Sequence, residues 1–131
     1  MKQDKTRSVI LKINQISASQ PLLESPTNKI SFAFSAPLLE EIKNLLTSQW
    51  NQGDFAYVSI SHFIRQSLIA YREKKIKLDL TFPRSRQKKD FTVRWPESDL
   101  LNFYYSLPLR KRVLIVEASM WAYFQLVAKK T

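Results

Sequence analysis

The chain has 131 residues, 44% of them hydrophobic and 12% aromatic, which suffices for one packed domain or two very small ones, and 21 Lys and Arg against 11 Asp and Glu give a net charge of +10. The lack of cysteine excludes disulfides, zinc sites built on thiolates and thiol nucleophiles, and a single glycine, Gly53, excludes a glycine-rich phosphate loop. No stretch has the run of uncharged apolar residues that a membrane span or a signal peptide needs, so the expectation is a cytoplasmic protein with no membrane partner, drawn to phosphate by its charge.

Residues 1–28 form an N-terminal arm whose SVILKINQI reads equally as an extra strand or as a basic arm. Residues 29–35, KISFAFS, alternate: Ile30, Phe32 and Phe34 face one way, Ser31, Ala33 and Ser35 the other, the pattern of a strand buried on one face. Pro37 and the leucine-rich run LLEEIKNLL then predict an amphipathic helix, with Pro where its missing N–H has no consequence. The connection QWNQGDFAYVS is long, and its Trp50, Phe55 and Tyr57 are expected to cap the core locally rather than stack on bases. Ser59 is the expected N-cap of a helix over 59–75, with Ile60, Phe63, Ile64, Leu68 and Tyr71 at helical spacing. His62, the sole histidine, is set aside as a surface helix residue.

Residues 76–87 read as a basic linker, and the excess charge concentrates around it: residues 72–94 hold nine basic and three acidic side chains. The run solvates a connection or meets an anionic partner, and composition does not choose between them. Residues 89–107, KDFTVRWPESDLLNFYYSL, then repeat the earlier plan. Asp90, Thr92 and Arg94 alternate with Phe91, Val93 and Trp95, and Pro96 leads into a helix. Laying Pro37 on Pro96 brings Phe34 onto Val93 and Phe32 onto Phe91. The second helix of this half follows Pro108, with a stripe of Leu114, Ile115, Ala118, Ala122 and Leu126. Strand, helix, helix thus occurs over 29–75 and again over 88–131.

Strand, proline corner, helix, turn, helix resembles the ribbon-helix-helix superfamily of DNA-binding proteins, and FTVRWPESDLL resembles its Arc repressor group, where an Arg-Trp-Pro corner also joins ribbon to helix. The resemblance implies a mainly α fold with a short two-stranded antiparallel β-ribbon. Two copies in one chain imply a tandem ribbon-helix-helix, a single-chain pseudo-dimer, and the linker is long enough at up to ~3.3 Å per residue to let the strands pair within one molecule. Pairing between two chains is equally open at this point.

The implied function is sequence-specific recognition of double-stranded DNA by a nucleoid-associated transcriptional regulator, a repressor, whose ribbon reads the major groove. The resemblance places base readers at Arg94, Thr92 and Asp90, and at Ser31, Ala33 and Ser35 in the first copy, whose short uncharged face makes reading lopsided. Asp90 departs from the family's usual neutral amide. Phosphate contacts are expected from Lys29, Ser59, Ser61, Arg84, Arg86, Lys88 and Lys89, and from Arg110, Lys111 and Arg112, unless the last three only solvate a helix start. A homodimer of pseudo-dimers is a further expected assembly. The alternatives are an antitoxin or plasmid-maintenance protein with a protein partner, or a protein-interaction module without DNA. No metal, cofactor or enzymatic activity is expected, since no nucleophile–base pair or metal cluster can be assembled.

Overall fold

The computed structural model describes residues 28 to 130. The arm predicted over 1–28 therefore lies outside the described residues, apart from Asn28, which opens the first strand. The chain runs β1 (Asn28–Ser35), α1 (Ala36–Asn51), α2 (Ile60–Arg72), β2 (Lys88–Trp95), α3 (Ser98–Ser106) and α4 (Arg112–Lys130), with one turn of 3₁₀ helix at Leu109–Lys111. It is mostly helical with a two-stranded antiparallel sheet, and the two strands pair within the one chain.

A two-stranded ribbon is marginal on its own and persists where one face is covered. Here Phe32, Phe34, Val93 and Trp95 are buried beneath the ribbon, in one cluster with Leu38, Ile42, Ile64, Leu68, Leu100 and Met120. That cluster draws on both strands and all four helices, so the halves share a single core. Phe32 stacks on Phe34 at 4.8 Å between centroids and meets Tyr104 edge-on at 5.7 Å, arrangements that suit aromatic quadrupoles. The principal helix–helix contact is α2 on α4. Fully buried Ser67 and Ser119 lie in these two helices, and their hydroxyls are satisfied internally, on Ile64 O at 2.6 Å and Ile115 O at 2.8 Å.

Several sequence expectations change. Ser31 pairs with Thr92, a separation of 61 residues, and that same shift matches half-buried Ile30 with Phe91 and buried Phe34 with Trp95. The two prolines stand differently: α1 starts directly from its strand with Pro37 inside the first turn, whereas Pro96 stands ahead of the α3 cap, Glu97. α1 also runs on to Asn51, so Trp50 belongs to its last turn and the connection is shorter than expected. Trp50 Nε1 donates to Tyr57 O at 2.7 Å, and the Tyr57 ring packs edge-on against Phe63, so these two do cover the core. Phe55 does not, being 61% exposed. Tyr57 lies 2.5 Å from the Tyr123 hydroxyl, and burial and this hydrogen bond together push its ionisation well above the ordinary tyrosine range.

At the far end α2 stops at Arg72 with Lys74 in the left-handed region (φ 60), and Lys75 N–H donates to Ala70 O at 2.8 Å, a Schellman closure made without glycine. In α4 the predicted stripe is too narrow: every residue from Ile115 to Met120 is buried, while Leu126 is exposed. The helix crosses the middle of the molecule and is enclosed on all sides there. The 76–87 linker is not a free solvated tether either, because Phe82 is buried and packs against Trp121 at 6.2 Å between centroids.

Candidate nucleic-acid interface

The pleat sends alternate residues of each strand to opposite faces, and register decides which of them meet across the ribbon. On the outer face Lys29 opposes Arg94, Ser31 opposes Thr92 and Ala33 opposes Asp90, and all six are exposed. The central Ser31 and Thr92 hydroxyls are hydrogen-bonded to each other at 2.9 Å.

Ser35, expected to continue this face, does not. It is 2% exposed, its hydroxyl accepts from Ser85 N–H at 3.2 Å, and its own N–H donates to the Glu117 carboxylate. The strand has by then bent into α1, and the side chain serves the join between strand, helix and linker. Arg84, expected at phosphate, donates from Nε to Glu117 Oε1 at 2.8 Å, and this pairing neutralises the wholly buried carboxylate. Arg112, also expected at phosphate, donates from its guanidinium to Tyr105 O at 2.8 Å and to Leu107 O at 3.3 Å and lies over the Tyr104 ring. It ties off the carbonyl end of α3, where a cation is favoured by the helix dipole.

The remaining predicted phosphate contacts, Lys29, Arg86, Lys88, Lys89, Arg110 and Lys111, are exposed. Ser59 and Ser61 sit half-exposed at the start of α2, beside the ribbon: Ser61 Oγ is 3.5 Å from Thr92 O, at the limit of a hydrogen bond. Ser59 Oγ caps the helix by accepting from His62 N–H at 3.0 Å.

His62 completes that cap. Its Nδ1 accepts from Val58 N–H at 3.1 Å, so the side chain at the third helical position reaches back over the turn to the residue before the N-cap. Burial, reinforced by the Arg65 charge and opposed by Glu97, lowers the His62 pKa from 6.5. A depressed histidine pKa means that the unfolded chain takes up the proton first. The stabilisation is therefore present above pH 6.5 and is lost as pH falls through the lower folded-state value. The expected loss is at most about 1 kcal/mol, the ordinary worth of a cap. Urea midpoints compared on either side of this range should show an acid-side drop that is smaller in His62→Gln; equal drops in both proteins would remove His62 as its source.

Two residues that position the ribbon were missed in the sequence. Arg65 of α2 donates from Nη1 to the Arg94 carbonyl at 2.9 Å, while its Nε stands 3.4 Å from Glu97 Oε1, an ion-pair contact too poorly aligned for a hydrogen bond. Glu117 of α4 holds the other strand end through Ser35. The signal for Glu117 was present: a lone carboxylate within the apolar run VLIVEASMWAYF is costly unless paired and hydrogen-bonded. Arg65 carried no such mark.

Among the described residues no group of three or more His, Cys, Asp or Glu could hold a metal ion, and no helix is long and apolar enough to cross a membrane. No protein family, no curated protein and no solved structure matches the chain.

Proposed function

We propose that this chain is a sequence-specific double-stranded DNA-binding protein, acting as a transcriptional repressor, and that it is a tandem ribbon-helix-helix folded as a single-chain pseudo-dimer. The observation that carries this reading is the exposed outer face of the ribbon, with Arg94, Thr92, Ser31 and Lys29 presented above an inner face whose Phe32, Phe34, Val93 and Trp95 are buried. A two-stranded ribbon, with strands ~4.8 Å apart, suits a major groove about 12 Å wide, and this face offers the donors and acceptors that base edges can meet. The pseudo-dimer is supported by the self-matching of the strands about the Ser31–Thr92 pair and by the paired buried serines of α2 and α4. Exposed Arg86 precedes the ribbon and exposed Lys88 and Lys89 open its second strand, and all three suit phosphate contacts, which position the protein without reading sequence.

Arg94→Ala is expected to weaken binding to a preferred duplex by about 1–3 kcal/mol while changing binding to random duplex little. Replacing Lys88 and Lys89 should weaken both and flatten the salt dependence, whose log–log slope should be about −5 for roughly six phosphate contacts. Anisotropy titrations over a salt series measure all three. Binding of the preferred site that is indifferent to Arg94→Ala would remove the ribbon from base reading, and an absence of salt-dependent duplex binding would remove DNA altogether.

A further inference from the structure

Register brings together two residues that the sequence kept apart. Lys29 and Arg94 are directly opposed on the outer face, both exposed, and among the described residues no carboxylate lies within ion-pair distance of either. Side chains so paired have Cβ atoms about 5 Å apart, and like charges there repel. Among the described residues nothing offsets this repulsion, and a ligand that offers clustered acceptors would relieve it.

The backbone beneath this pair is held. Val93 and Trp95 on either side of Arg94 are buried, and the Arg94 carbonyl accepts from Arg65. The guanidinium is thus presented from a fixed stem, which lowers the entropy lost on binding.

The other end of the face is chemically inverted. About the hydrogen-bonded Ser31–Thr92 pair, a half-turn carries Lys29 onto Asp90 and Arg94 onto Ala33. One end offers two cations; its counterpart offers a methyl group and a carboxylate, with Lys88 beyond them at the start of the strand. Guanine N7 and O6 accept hydrogen bonds and suit the first end, whereas a carboxylate repels those acceptors and accepts instead from cytosine N4, and alanine suits the thymine methyl. Arg94 and Asp90 are four residues apart in an extended strand, about 13 Å at ~3.3 Å per residue, which corresponds to roughly four base pairs at 3.4 Å each.

We infer that Lys29 and Arg94 together form a guanine-reading end of the ribbon, so that this chain binds a non-palindromic duplex in a single orientation. This rests on the DNA-binding reading above and adds Lys29 as a determinant of specificity. An inverted repeat would place a guanine beneath Asp90 and gain nothing from its second half.

The experiment is selection of bound duplexes from a random pool with the full chain, followed by interference mapping with 7-deazaguanine, which lacks the N7 acceptor. Guanines that matter should be confined to one side of the recovered site, and cytosine or thymine should be preferred about four base pairs away. Lys29→Ala should reduce preference for the selected site over random duplex by about 5- to 150-fold. The double variant Ala33→Arg with Asp90→Lys, which makes both ends cationic at exposed positions, should instead select an inverted repeat. Recovery of an inverted repeat by the unaltered chain, with guanines of both halves equally sensitive, overturns the inference while leaving DNA binding intact. So does a Lys29→Ala variant that weakens selected and random duplexes alike. Failure to enrich any duplex, with no salt-dependent binding, overturns the functional reading itself and this inference with it.

Discussion

Replacing Arg84 by alanine is expected to destabilise the fold by about 3–5 kcal/mol, far beyond the 0–1 kcal/mol typical of an exposed ion pair. The side chain of Arg84 is itself 37% exposed, and on that figure alone a small effect would be expected. Its partner decides the matter: Glu117 has no exposed surface, and without Arg84 its charge would be left in the core with only the Ser35 N–H for company. Leaving a buried charge unpaired costs much more than the pair contributes. Adding Glu117→Gln to Arg84→Ala should therefore recover much of the loss, because it removes the charge yet keeps an oxygen for the Ser35 N–H. Urea unfolding of the two single variants and the double variant measures this coupling. A loss below about 1 kcal/mol in Arg84→Ala, or simple additivity in the double variant, would show that the pair acts as an ordinary surface contact.

The loss should reach the ribbon before the rest of the core. Glu117 and Ser85 both hold Ser35, and Ala36 N–H donates to Gln87 O at 2.9 Å, so this cluster fastens the Ser35 end of β1 against the start of β2. A slip of one residue there would turn Arg94 and Thr92 inward. Arg84→Ala is thus expected to weaken the proposed DNA binding even though Arg84 touches no base in the proposed interface.

Phe34→Ala should have an effect of similar size, about 3–5 kcal/mol. Phe34 is wholly buried, stacked on Phe32, and packed into the cluster shared by both strands and all the helices, so truncation leaves a cavity where the halves meet. Phe91, also on the inner face of the ribbon but only half-buried, provides the comparison: Phe91→Ala should cost distinctly less, because part of its ring is already wet. Thermal and urea unfolding of the two variants separate these expectations. Equal losses would mean that burial in the ribbon does not set the energetics of this core.

Much of the ribbon was legible because strand alternation is a local property. The period of two sends Phe32, Phe34, Val93 and Trp95 inward and Ser31, Ala33, Thr92 and Arg94 outward whatever they pair with, and those sides agree with the observed burial. Helix positions were legible for the same reason: Phe63, Ile64 and Leu68 fall on one stripe at a spacing that any helix imposes. The Ser59 cap was visible in its residue type and place, and its hydroxyl does accept from the backbone.

What the chain could not show along its length were relations between distant residues. That Lys29 faces Arg94, that Ser35 turns away from its strand face into a buried join, that Arg84 serves Glu117 and Arg112 serves α3 each depend on a contact partner remote in sequence or on where one element bends into the next. A lysine or arginine in a basic stretch has the same local signature whether it faces phosphate or a buried carboxylate; only the packing of α4 through the centre, with Glu117 in its middle, decides which. Composition and periodicity thus determined a basic, mostly helical protein with a one-sided ribbon, because those are sums over near neighbours. Register, and with it the chemistry of each end of the ribbon, was decided by tertiary structure, because side chains pair across a fold by position in space and not by order in the chain.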